Sequence, residues 1–165
     1  MTGSEFGPIL DRTVHDLLGE IEALPADVLY REPVPGEWPV MSTLAHLAEL
    51  LPYWAHEAAD LARSPGKDFG RTHDDPRRLG AIAQHGHDSI ADIVSRIREG
   101  LAECEVTLRA IPSDGWDVVG QSSTRGVMSV RQLVQAFVVN HAAEHAAQIH
   151  ATLETLRAAQ SSQVP

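Results

Sequence analysis

Apolar residues recur every three or four positions along most of this chain, and its prolines fall at the edges of those stretches. Together they confine it to helices. Ile9, Val14, Leu17, Leu18, Ile21 and Leu24 form one stripe, between Pro8, suited to a first helical turn, and Pro25, which ends it. Leu44, Leu47, Leu50, Leu51 and Trp54 form a second, predicting a helix from near Pro39 to about Arg63, with a kink at Pro52 where one backbone bond is lost. The segment from Ala26 to Glu37, with two prolines and a glycine, reads as a loop.

The polar, glycine-bearing stretch Ser64–Asp75 reads as a loop ending in an Asp75 N-cap, with Pro76 as the first helical residue. From there to Ile111, where Pro112 stops it, an unbroken helix would span ~50 Å, about twice its neighbours. A break near Gly86 is therefore expected, with Asp88 or Ser89 recapping. Ser113–Val127, with Trp116 among glycines and serines, reads as an irregular connection or short hairpin. Ser129-Val130-Arg131-Gln132 has the spacing of a capping box and opens a last helix reaching about Ala158. With hydrophobic residues at 43% and aromatics at only 5%, the expectation is all-α: an antiparallel four-helix bundle with long connections. One domain is expected over residues 1–165. Met1–Gly7 could be native or a cloning remnant and is left out of the fold argument, and residues 159–165 form a Gln/Ser tail.

Charge narrows the partners. Acidic residues outnumber basic ones 23 to 13, a formal net charge of −10, which argues against nucleic acid, whose phosphates need a positive surface. No apolar run approaches the length of a membrane span, and no charged-then-apolar leader is evident, so no membrane partner is expected. Cys104 is alone, which rules out an internal disulfide and makes a reducing cytoplasm the expected setting.

Three histidines carry the functional signal. His141-Ala142-Ala143-Glu144-His145 spaces two imidazoles four residues apart, on one helix face. With His141 at zero and about 100° per residue, His145 falls near 40°, Gln148 near −20°, Thr152 near 20°, Val134 near 20°, Phe137 near −40° and Val138 near 60°. The pair thus continues the apolar stripe and is expected to point inward. Buried imidazole nitrogens need partners: a shared divalent metal satisfies both at once, and the alternative is bonding to hydroxyls or buried water. His46 lies about 40° from Leu50 on its own helix and can also face the core. Glu49, one turn on, could be a fourth ligand, a carboxylate orienting an imidazole, or a solvated charge. His150 falls near 180° on the last helix and is expected at the surface. His15, His56 and His73 have no partner that spacing identifies, and His85-Gly86-His87-Asp88 reads as surface.

His141 to His145 also spells H-x-x-E-H, an inverted zinc-protease signature. That mechanism needs a third, acidic ligand far downstream in a larger α/β domain, whereas only 20 residues follow His145 and no sheet is evident. Two segments fit something else: Trp38-Pro39-Val40-Met41-Ser42-Thr43-Leu44-Ala45-His46-Leu47, with a Trp eight residues before His-Leu, and His141-Ala-Ala-Glu-His145-Ala-Ala-Gln148-Ile149, an H-x-x-x-H-x-x-Q-[IL] pattern. In these segments, and in helix order and loop positions, the chain resembles the DinB/YfiT-like family of small metal-binding four-helix bundles. Pro39 departs from it, standing where the family often has a capping Ser.

The resemblance implies that His46, His141 and His145 bind a divalent transition metal, nickel or zinc. It implies a small-molecule substrate, thiol transfer or isomerisation with a low-molecular-weight thiol such as mycothiol or bacillithiol, and a homodimer. The physical logic agrees: a three-histidine metal with open positions lowers the pKa of a bound thiol or water, which serves transfer, isomerisation or hydrolysis. The alternative is a non-catalytic bundle whose histidines or metal serve stability or stress-linked ligand binding. Tyr53, Glu49 and Glu144 are within reach of such a site as acids or bases, though each is more simply a surface or packing residue. Arg125, in the loop before the last helix, could meet an anionic substrate, though a solvated arginine is the simpler reading.

Overall fold

The structure, a computed structural model, describes residues 3–162. Four long helices carry it: α1 (Gly3–Glu22), α3 (Val40–Arg63), α5 (Ile90–Arg109), and a last helical run made of α6 (Val130–Val134), a π turn (Gln135–Asn140) and α7 (His141–Ser161). Between them lie a one-turn helix α2 (Ala26–Leu29), a short helix α4 (Pro76–His85) and a 3-10 turn (Ser113–Asp117). Strands β1 (Asp68–Phe69), β2 (Val119–Ser122) and β3 (Gly126–Ser129) form a small sheet in the order β1-β2-β3. The all-α bundle expected from the stripes is what forms. No described helix is long and apolar enough to cross a membrane.

Local chemistry set most boundaries where expected. The Asp75 side chain accepts from the backbone N–H groups of Arg77 and Arg78, with Pro76 opening α4. The predicted break falls at Gly86, and Ser89 recaps by accepting from the Asp92 N–H. Ser129 and Gln132 make both bonds of the capping box. Two expectations shift. α1 begins at Gly3 rather than Pro8, and Phe6 is buried against the Trp116 ring at 5.7 Å. The Ala26–Glu37 loop contains α2, which buries Leu29. Pro39 sits at the N-cap of α3 with no side-chain bond.

The bundle's connectivity explains its long connections. α1 packs on α5 and α7, and α3 packs on the same two, so α1 lies diagonally across from α3, and α5 across from the last helix. His46 faces His145 while Trp54 faces Phe137, so α3 and the last helix run antiparallel. Gly7 lies by Glu105 while Arg98 pairs with Glu22, so α1 and α5 do too. Pro52 meets Gly100 while His56 meets Glu103, so α3 and α5 are parallel neighbours. Parallel neighbours need a return path, and β1 with α4 supplies it, laying α4 beside the start of α3.

The α3–α5 contact rests on a proline and a glycine. α3 continues through Pro52, which has no N–H to offer the Ala48 carbonyl. A Cβ at Gly100 would lie 2.8 Å from that carbonyl oxygen and 3.3 Å from the Pro52 ring, so only glycine permits this approach. The sheet clamps the far side. β1 pairs parallel to β2, with Phe69 opposite Ser122, and β2 pairs antiparallel to β3. Gly126, at φ 76°, makes the β2–β3 turn, a conformation that costs glycine nothing.

Candidate metal centre

His46 comes from the buried stripe of α3, where its side chain is 2% exposed. The other two come from the last helix, and the π turn decides how they face. A plain α-helix continuing from the buried Val130, Leu133 and Val134 would bury Phe137, His141, Glu144 and Gln148 next. The residues actually buried are Val138, Val139, Ala142, His145 and Ile149, a face centred about one position later. A π turn inserts about one residue into the helical repeat, and that insertion rotates the inward face by one residue. His145, already inward on the uniform wheel, is thereby brought to the centre of that face, with Glu144 left exposed and His141 half-buried at the margin. The uniform wheel had placed Gln148 and Thr152 inside. Gln148 is instead exposed and Thr152 half-buried.

The three imidazoles converge. Ring centroids stand 4.9 Å apart for His46 and His145, 5.8 Å for His46 and His141, and 4.6 Å for His141 and His145. One ring nitrogen from each lies within 4.8 Å of the other two. Buried His141 Nδ1 and His145 Nε2 have no hydrogen-bond partner, and His46 Nδ1 has only the Glu49 carboxylate at 3.5 Å; orphaned nitrogens are costly unless something supplies a partner. Burial first, and then the neighbouring imidazoles and arginines, push His141 down to about 3. Burial pushes His145 down to about 4, against an opposing bond to Gln148. His46 is lowered too, chiefly by burial. These rings are neutral near pH 7, the state in which imidazole ligates.

Supporting contacts orient the rings. His145 Nδ1 lies 3.0 Å from Gln148 Oε1. A carbonyl oxygen only accepts, so Nδ1 carries the proton and Nε2 presents its lone pair to the cluster. Glu49 Oε2 stands 3.5 Å from His46 Nδ1. Burial alone would raise the Glu49 carboxyl, but bonds to His46 and Arg71 overcome it and hold it at about 2. Arg71 grips Glu49 with both guanidinium nitrogens, the Nη2–Oε2 bond measuring 2.7 Å, and lies 3.9 Å over the Tyr53 ring. Of the three roles open to Glu49, this geometry is that of an orienting carboxylate. The Trp38 ring meets His46 edge-on at 6.0 Å, and Arg78 lies 5.0 Å over that indole, with its Nε 3.4 Å from His46 Nε2.

The cluster opens on a cleft of about 400 Å³, whose lining includes Arg71, His73 and Arg78 from the connection after α3 and the start of α4, and Arg125, Phe137 and Glu144 from the β2–β3 turn and the last helical run. The donor set, all nitrogen, neutral and buried beneath an open cleft, suits a divalent transition metal. Glu144 lines the cleft, whereas Tyr53 sits behind the Arg71 wall in a separate hollow. His150 is at the surface, as expected, against Glu20 at 2.8 Å. His56 pairs with Glu103 and His85 with Asp88, both away from the cluster. Sequence reasoning missed Arg71 and Arg78. Arg71 lies in an aperiodic connection that offers no signal, but Arg78 is three residues past the recognisable Asp75 cap, which fixes it at the start of α4.

A family model described as DinB superfamily matches residues 9–149. No curated protein sequence matches the chain. Among solved structures, YfiT from Bacillus subtilis, described as a probable metal-dependent hydrolase with an unusual four-helix bundle topology, is similar with a TM-score of 0.72 at 14% identity, over 93% of this chain and 87% of that one. A mycothiol-dependent maleylpyruvate isomerase is similar with a TM-score of 0.70 at 12% identity, over 90% of this chain. The match covers only 61% of the isomerase, less than two thirds of its length. An uncharacterized protein from Clostridium difficile 630 is similar with a TM-score of 0.64 at 12% identity, over 91% of this chain and 94% of that one. At such identities the likeness is one of fold.

Proposed function

The chain belongs to the DinB superfamily, and from that premise we propose that it is a metal-dependent enzyme whose His46, His141 and His145 hold one divalent metal, nickel or zinc. The observation that carries this reading is the three imidazoles gathered within ligand distance at the floor of an open cleft, with buried His141 Nδ1 and His145 Nε2 lacking any hydrogen-bond partner. When bound, such a metal lowers the pKa of a thiol or water at its open positions and so supplies a nucleophile near neutral pH.

The chain's own residues do the rest. Gln148 fixes the His145 tautomer, and the Arg71–Glu49 pair holds the His46 ring in place, so the ligand set is arranged before metal arrives. Stacked Trp54 and Phe137, 4.4 Å apart, give the cleft an apolar wall that limits water. The proposed reaction is thiol-dependent transfer or isomerisation of a small molecule, a low-molecular-weight thiol being one reactant. The fold shared with a mycothiol-dependent isomerase supports that choice.

The test is turnover of electrophilic and isomerisable substrates by nickel- or zinc-loaded protein, with mycothiol and bacillithiol as thiols. Thiol-dependent turnover that disappears in His145→Ala and on chelation is the expected result. Metal-loaded protein that turns over no substrate, while His141→Ala only lowers the melting temperature, would replace the enzyme with a non-catalytic metal-binding bundle.

A further inference from the structure

The cleft is cationic in a chain whose formal net charge is −10, and its three arginines are not equivalent. Arg71 is spent on Glu49, which neutralises it. Arg78 gives Nη1 to the His73 carbonyl at 2.6 Å and turns Nε toward His46. Arg125 has no ion-pair or hydrogen-bond partner for its guanidinium among the described residues, and lies 4.8 Å over the Phe137 ring. A guanidinium stacked on an aromatic face keeps its N–H edge free for a planar, bidentate acceptor.

This placement is built into the backbone. Arg125 stands in the β2–β3 turn just before Gly126, and its own N–H and that of Thr124 are tied to the buried Ser122 hydroxyl at 3.3 and 3.4 Å. Phe137 belongs to the π turn, and the one-residue rotation there leaves its ring on the cleft wall rather than in the core. Beneath it lies Trp54, 5% exposed, which also lines the cleft and whose indole N–H has no partner. A charged fork, an apolar plate and an unused donor thus share one wall of the cleft.

We propose that the Arg125–Phe137–Trp54 wall is a recognition site for the carboxylate of a small organic acid, whose charged group meets the Arg125 fork while its carbon skeleton lies on Phe137. A carboxylate is chosen over a phosphate because the wall offers a single planar fork, and the amides of the turn beside it are already bonded. Tetrahedral dianions are held by several convergent donors or a helix N-terminus. The inference rests on the proposal that this cleft is the substrate site, and it names the class of acid that enters.

The test uses the full-length protein, metal-free and metal-loaded, with malonate, benzoate, inorganic phosphate and malonamide as probes. Binding is read from the Trp54 indole N–H resonance, assigned through Trp54→Phe. The metal-free arm isolates the arginine, because a carboxylate can also ligate a metal. Expected are saturable shifts with the carboxylates, none with malonamide, and weakening on the order of tenfold or more in Arg125→Met, with Arg125→Lys between. Metal content is measured in the same samples, so an absent metal, which defeats the enzyme reading, is distinguished from an absent carboxylate site. Equal carboxylate binding by wild type and Arg125→Met, binding of malonamide as tight as malonate, or tighter binding of phosphate would each overturn the proposal.

Discussion

Acidifying the metal-free protein from pH 7 to pH 5 will cost it roughly 4 kcal/mol of folding stability through two histidines. His141 and His145, lowered by burial to about 3 and about 4 from an ordinary 6.5, stay neutral in the fold throughout that range. In the unfolded chain both titrate near 6.5 and take up protons as pH falls. The unfolded state therefore binds more protons, and stability drops with falling pH. The stability is fully present above 6.5 and is lost progressively down to the folded values. Integrating the linkage relation for one such site from pH 7 to 5 gives about 2 kcal/mol, or about 4 for the pair. His46 acts in the same sense. Glu49, held at about 2, loses its contribution only below its ordinary 4.5, outside the window. Urea unfolding of chelator-stripped protein at pH 7, 6 and 5, beside the double variant His141→Leu/His145→Leu, measures the effect. A loss below about 1 kcal/mol, or an equal slope in the variant, would refute the reasoning that these rings are buried and neutral.

Three further outcomes follow from the geometry. Gln148→Leu removes the acceptor that fixes the His145 tautomer, so metal affinity should fall about 10- to 100-fold, read by competition with a chelator, while circular dichroism stays unchanged because Gln148 is exposed. Gly100→Ala, although alanine favours helices, should destabilise by about 1–3 kcal/mol by thermal or urea unfolding, because its Cβ would meet the Ala48 carbonyl across α3 and α5. Arg71→Ala strips both bonds from the half-buried Glu49 and should cost roughly 1–3 kcal/mol, with the Glu49 carboxyl rising from about 2 when followed by NMR.

Much of this was legible in the sequence because it is local. Ser129 and Gln132 announce their capping box, Asp75-Pro76 its helix start, and the i, i+4 histidines their shared face. What stayed hidden depends on contacts between distant segments. The parallel packing of α3 beside α5 rests on contacts such as Gly100 against Pro52, which no periodicity encodes. The π turn changes only the phase of the stripe, so a uniform wheel put Gln148 inside when its role is to hold His145 from the margin. β1 is two residues long and exists only by pairing with β2. Arg71 reaches Glu49 from a connection with no period at all.

The central claim is that three neutral imidazoles, two buried and one half-buried, share one metal. Elemental analysis of protein purified without a nickel column, then reconstituted and desalted, tests it most directly, alongside His46→Ala, His141→Ala and His145→Ala. The account predicts about one equivalent of nickel or zinc per chain, lost in each variant. Less than about a tenth of an equivalent after reconstitution, or uptake unchanged when the histidines are removed, would contradict it.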